Sequence, residues 1–126
     1  MKMMGKLMLV VVAMLASSSV FAANFDGTYK FNSRMKDGNA DMSGWTGEMK
    51  IANNTISRTY HSPDGKSEKF YIGDLTQKGD LYTVKYTKAY KPEYVGNEHT
   101  NKMTVQGNAL TIEATDGKFK EVWTKK

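Results

Sequence analysis

Between Leu81 and Tyr90 the chain reads Leu-Tyr-Thr-Val-Lys-Tyr-Thr-Lys-Ala-Tyr. Tyr82, Val84, Tyr86, Lys88 and Tyr90 fall on one side of a period-two pattern, and Leu81, Thr83, Lys85, Thr87 and Ala89 on the other. Alternation over ten residues rich in Tyr, Thr and Val predicts a half-buried antiparallel strand; helical geometry would scatter the aromatics around a cylinder. Similar runs recur downstream of residue 25, cut by turn signals at Asn53-Asn54, Pro63-Asp64-Gly65, Lys78-Gly79-Asp80, Gly107-Asn108 and Asp116-Gly117. They predict eight strands near 27–32, 44–52, 55–61, 66–74, 81–90, 98–106, 109–115 and 118–125. No segment holds a 3.6-residue period over three turns, so no long helix is expected. Eight short strands joined in sequence order predict an all-β, antiparallel up-and-down meander, closed into a small barrel or left as an open sandwich.

Two connections are longer, 33–43 and 91–97. In a meander the connections alternate between ends, so both, with the Pro63 turn, stand at one end, the mouth. Following parity, the inward residues near the other end are Ile51, Ile56, Ile72, Tyr82, Val105, Leu110 and Trp123, mostly large and apolar. Toward the mouth the same faces carry Arg58, Tyr60, Glu68, Tyr86, Lys88, Tyr90, His99 and Asn101. Burying an unpaired charge costs on the order of several kcal/mol, so inward cations need partners: water, a bound solute, Glu68 or Glu121. One reading is a cup with an apolar floor and a collar of Arg58, Tyr60, Tyr86, Lys88, Tyr90 and His99. Arginine suits a carboxylate or phosphate, and Tyr rings suit a flat or apolar body. The other is a barrel filled by its own side chains, with Arg58 paired to Glu68 or Glu121.

The first 22 residues read differently. Lys2 and Lys6 precede the apolar run Leu7–Leu15, and Val20-Phe21-Ala22 offers a cleavage site after Ala22. This is the three-part pattern of a secretory signal peptide, and the run is shorter than the ~20 residues a bilayer core requires. Export to the periplasm or outside the cell is therefore expected. Removing 22 residues from 126 leaves 104, the size of one domain over 23–126. Two of 18 basic residues and none of 13 acidic ones lie in the leader, so the remainder carries 16 against 13, a formal +3. Its charges alternate in sign, which is no footprint for nucleic acid. The absence of cysteine excludes disulfides, thiolate metal sites and a lipid-anchored lipoprotein.

Other chemistry is thin. Asp37-x-Asn39-x-Asp41-x-Ser43 followed by Glu48 has part of a calcium-loop spacing, but Met42 stands where the glycine belongs; a solvated loop and no metal are expected. His61 and His99 lack zinc-site spacing. No nucleophile elbow, phosphate-cradling loop or carboxylate pair is found, so no enzyme and no cofactor are expected. Asn53-Asn54-Thr55 is a glycosylation sequon only in a eukaryotic source.

Phe25-Asp26-Gly27-Thr28-Tyr29-Lys30-Phe31 resembles the Gly-x-Trp opening of the lipocalin and calycin barrels, with Tyr29 at the Trp position. The closing Phe119-Lys120-Glu121-Val122-Trp123-Thr124-Lys125-Lys126 is similar to the last strand of bacterial lipocalin-like domains. The resemblance implies a barrel that carries or sequesters a small hydrophobic or amphipathic molecule, with Lys125 packing across the first-strand aromatic. Avidin-like and fatty-acid-binding barrels share the strand pattern. The leading expectation is thus an exported, non-catalytic barrel that binds a small amphipathic or anionic ligand. A second is a protein-interaction or inhibitor module using loops 33–43 and 91–97, anchored by Met42, Trp45 and Tyr94. A third is an isomerase-type pocket with His99 as base.

Overall fold

The computed structural model describes residues 25–126, so the leader pattern over 1–22 lies outside the described residues. Nine strands follow in order: β1 (Gly27–Lys36), β2 (Asn39–Asp41), β3 (Thr46–Ala52), β4 (Thr55–His61), β5 (Glu68–Lys78), β6 (Leu81–Ala89), β7 (Glu98–Gln106), β8 (Ala109–Ala114) and β9 (Phe119–Lys125). One 3-10 turn, Pro92–Tyr94, sits between β6 and β7. Each barrel strand pairs antiparallel with its sequence neighbours, and β9 pairs back onto β1. Eight strands therefore close a barrel, and β2 is an added flap hydrogen-bonded to the end of β1. Closure removes the unpaired edges an open sandwich would leave.

The flap corrects one expectation. Residues 33–43 do not form a loop: β1 runs on to Lys36, and Asp37-Gly38, both with positive φ (53° and 79°), turn the chain back into β2. That pair is the two-residue hairpin turn whose twist matches the flanking strands.

The expected arrangement of ends is present. The β1–β3, β4–β5, β6–β7 and β8–β9 connections share one end, and the tight turns at Asn53-Asn54, Gly79-Asp80 and Gly107-Asn108 share the other. The lower half is packed solid. Tyr29, Met49, Ile51, Leu110 and Trp123 are essentially inaccessible, with Ile56 and Tyr82 beside them. Phe25 closes the bottom edge-to-face on Tyr82, ring centroids 4.9 Å apart, and its carbonyl accepts a 2.7 Å hydrogen bond from the Tyr29 hydroxyl.

Two inward assignments fail here. On β5 the inner positions are Tyr71, Gly73 and Leu75, not Ile72, because Arg58 registers with Tyr71 and Ile56 with Gly73. Val105 lies exposed near the end of β7, although its register partner Leu110 is buried.

Two bulges decide which polar side chains face inward. On β1, Phe31 pairs with Trp123 and Ser33 with Val122, so Asn32 is an extra residue. The shift sets Arg34 opposite Glu121 on the inner face. On β6, Tyr86 pairs with Gly73 and Lys88 with Ile72, leaving Thr87 extra. A bulge of this kind inverts the alternation beyond it. Lys88 is exposed as a result, and Tyr71 and Ala89 become an inner pair.

Candidate functional site

Midway up the barrel the apolar packing gives way to a charged layer. Glu121, on β9, has no accessible surface. One of its oxygens, Oε2, accepts from Arg34 Nε at 2.9 Å, Arg34 Nη2 at 2.6 Å and the Tyr60 hydroxyl at 2.7 Å. The other, Oε1, accepts from Trp123 Nε1 at 3.0 Å and Arg58 Nη1 at 3.3 Å. Burial alone would raise this carboxyl's pKa; the Arg58 and Arg34 charges and the Tyr60 hydrogen bond outweigh it and hold the group below its ordinary value of 4.5. Tyr60 is pushed far up by burial, so its hydroxyl remains a donor.

Arg58 is held less completely than Arg34. Its Nη2 donates to the Tyr86 hydroxyl at 2.6 Å, its contacts to Glu121 and the Tyr60 hydroxyl are long at 3.3 and 3.4 Å, and its buried Nε has no partner. Its guanidinium lies 5.4 Å from the centre of the Tyr71 ring. Arg34 is clasped between Tyr60 and Phe119, 5.1 and 5.2 Å from their ring centres, and reaches Asp41 of the flap at 3.6 Å. Asp41 is well exposed, so that contact is screened by water. In the buried layer two guanidiniums share one carboxylate.

Above this layer the barrel opens into a cup of about 440 Å3. Its cations are Arg34, Arg58 and Lys36, and no carboxylate lines it. Its walls are aromatic. Tyr71 and Tyr94 stack with centroids 6.3 Å apart at 22°, and Tyr86 continues the row 5.2 Å from Tyr71 at 32°. Phe119 belongs to β9, four strands round the eight-stranded barrel from β5. Asn97, His99 and Asn101 complete the rim. His99 leans on Tyr86, centroids 5.3 Å apart; partial withdrawal from water and the Arg58 charge lower its pKa from 6.5, so it is neutral at pH 7.

Of the six collar residues read from sequence, Arg58, Tyr86 and His99 line the cup, and Tyr60 lies beneath it bonded to Glu121. Tyr90 is half-buried behind the wall, packed edge-on against Tyr71 and Tyr94 at 5.6 and 5.8 Å. Lys88 does not line the cup; the bulge at Thr87 takes it to the exterior. Glu68 is exposed at 3.9 Å from His61, so the partner of Arg58 is Glu121. Parity reasoning missed Arg34, Tyr71 and Phe119. The signal for Arg34 was the Asp37-Gly38 hairpin turn, which makes residues 33–36 strand rather than loop.

The remaining candidates are dispersed. Asp37 sits in the hairpin turn, Asp41 pairs with Arg34, and Glu48 pairs with Lys126. Among the described residues no group of three His, Asp or Glu is placed to hold a metal ion. Met42, Trp45 and Tyr94 are partly buried against the core. Lys125 stands opposite Tyr29 in register, its side chain passing over Gly27.

By sequence the chain matches no family description and no curated protein. By structure it is similar to a lipocalin-like protein from Bacteroides uniformis, with a TM-score of 0.58 and 16% identity over 80% of this chain and 97% of that one. The chain has the lipocalin-like fold. An uncharacterised protein from Bacteroides eggerthii superposes equally well on this lipocalin-like barrel, with a TM-score of 0.58 and 12% identity over 81% of this chain and 99% of that one. In this chain the cup opens above Glu121. Among the described residues no helix is long and apolar enough to cross a membrane.

Proposed function

We propose that this lipocalin-like barrel binds a small anionic or amphipathic molecule in the mouth cup and performs no chemistry on it. The observation that carries the reading is the floor: Arg34 and Arg58 share the single buried carboxylate of Glu121, beneath a cavity lined by no acid. A buried surplus cation is unfavourable without a counter-charge, and an anion entering the cup supplies one. The volume and the mixture of aromatic walls with few polar groups suit a ligand site. The leader-like pattern over 1–22 adds that the barrel works outside the cytoplasm, which N-terminal sequencing of the exported protein beginning at Ala23 would test.

The cup is tested with 1-anilinonaphthalene-8-sulfonate, an aromatic anion that fluoresces on leaving water. The protein takes up the dye, and Arg58→Met weakens uptake by about tenfold or more, the size of one lost charge-assisted hydrogen bond. No uptake by the unaltered protein, or equal uptake by the variant, overturns the reading.

A further inference from the structure

We infer that the occupant of the cup is a short, flat aromatic carboxylate, seated with its charged end on Arg58 and Tyr86 and its ring between the Tyr71–Tyr94 wall and Phe119. This rests on the anion-binding reading above and narrows it to a class of molecule. Three observations carry it.

The first is depth. The cup ends at the layer of Tyr60, Arg58 and Glu121, and below that layer Trp123, Met49, Ile51 and Leu110 fill the barrel completely. A long alkyl chain has no channel to enter. A ligand lies wholly in the upper half, and its charge points down, because the guanidinium is at the floor.

The second is an unused donor. The Tyr86 hydroxyl accepts from Arg58 Nη2 at 2.6 Å, and its own proton has no acceptor among the described residues. A tyrosine hydroxyl both donates and accepts. The Tyr60 hydroxyl, by contrast, gives its proton to Glu121. Tyr86 lines the cup, so a carboxylate resting there receives an O–H bond sharpened by the guanidinium behind it.

The third is the shape of the walls. Tyr94, Tyr71 and Tyr86 form a row of rings inclined by only 22° and 32° to their neighbours, and Phe119 stands on the far side of the barrel. Aromatic rings pack offset-stacked or edge-to-face, so a flat ring between this row and Phe119 gains aromatic contacts on both sides; an aliphatic body gains only contact area.

Calorimetric titration of the purified protein with 2-naphthoate, its neutral isostere 2-naphthamide and dodecanoate tests this. 2-Naphthoate binds, and the amide and dodecanoate each bind at least about tenfold more weakly. Tyr86→Phe keeps the ring and removes the hydroxyl; it weakens 2-naphthoate by about tenfold and weakens the amide, whose neutral carbonyl accepts a weaker bond, by less. Phe119→Ala, at a half-buried position near the rim, weakens both aromatic probes together. Dodecanoate binding as tightly as 2-naphthoate overturns the aromatic class; if Arg58→Met then weakens dodecanoate, the anion cup itself survives. Failure of both carboxylates to bind, or equal binding of acid and amide, overturns the proposal; the anion cup falls with it only if the protein also fails to take up the sulfonate dye.

Discussion

Glu121 holds the two arginines, and the arginines are not equivalent in return. Replacing Glu121 by Gln leaves buried Arg58 with no counter-charge and half-buried Arg34 with only the exposed Asp41, and removing one partner of such a cluster costs roughly 3–5 kcal/mol. Replacing Arg58 by Met leaves Arg34 and Glu121 as a matched pair and fills most of the vacated space with a thioether. Its loss strands only weak contacts at 3.3 and 3.4 Å and the bond to Tyr86, and costs under about 2 kcal/mol. The predicted outcome is a clear inequality in urea unfolding, Glu121→Gln far below Arg58→Met. Equal losses would mean that Arg58 is a structural member of the layer, with no charge to spare for a ligand.

Strands were legible where alternation is unbroken, and the two bulges mark where it is not. Tyr82, Val84 and Tyr86 face inward as their spacing dictates, as do Ile56, Arg58 and Tyr60. Beyond Thr87 the parity inverts, so Lys88, two residues from Tyr86, is lost from the site, while Asn32 delivers Arg34 into it. Nothing in Tyr-Thr-Lys-Ala-Tyr announces an extra residue; the signal lies on the partner strand, at Gly73. A Cβ there would come within 2.6 Å of the Lys85 carbonyl oxygen and 2.8 Å of Val84 Cγ1, so only glycine lets β5 and β6 approach at the bulge. The same glycine hides the inward parity of β5, since Tyr71, Gly73 and Leu75 read no more apolar than Phe70 and Ile72. Gly73→Ala is expected to cost roughly 1–3 kcal/mol, the range for overpacking a tight site, and to move the backbone amide resonances of 85–88. If stability and those resonances stay put, the close approach is not what fixes the bulge.

At the scale of the whole barrel, the charged layer and the rim respond to acid in separate windows. His99 is lowered below 6.5 in the folded protein, first by partial burial and then by Arg58, so its neutral form prevails at pH 7 and it gains a proton only as pH falls below that ordinary value. The added charge stands at the rim of a cup that already holds Arg34, Arg58 and Lys36. Affinity for a sulfonate, which stays ionised throughout, therefore rises as pH falls through this window, and His99→Gln flattens the rise. Glu121 titrates lower. Its folded pKa lies below the ordinary 4.5, so its contribution to stability is complete above that value and is lost as pH falls through the depressed one. The melting temperature of the unaltered protein should drop there toward that of Glu121→Gln, the gap between them closing with acid. The exposed Glu48 and Asp64, also lowered, by Lys126 and by Ser62 with the Lys66 amide respectively, titrate in both proteins and leave the gap unaffected. The two variants should thus separate the windows: His99→Gln alters the binding curve and spares the acid limb, and Glu121→Gln alters the acid limb. A melting gap that stays constant from pH 7 to the acid limit would show that Glu121 titrates alike in the folded and unfolded chain, and Arg34 and Arg58 would then not be what holds its carboxylate ionised.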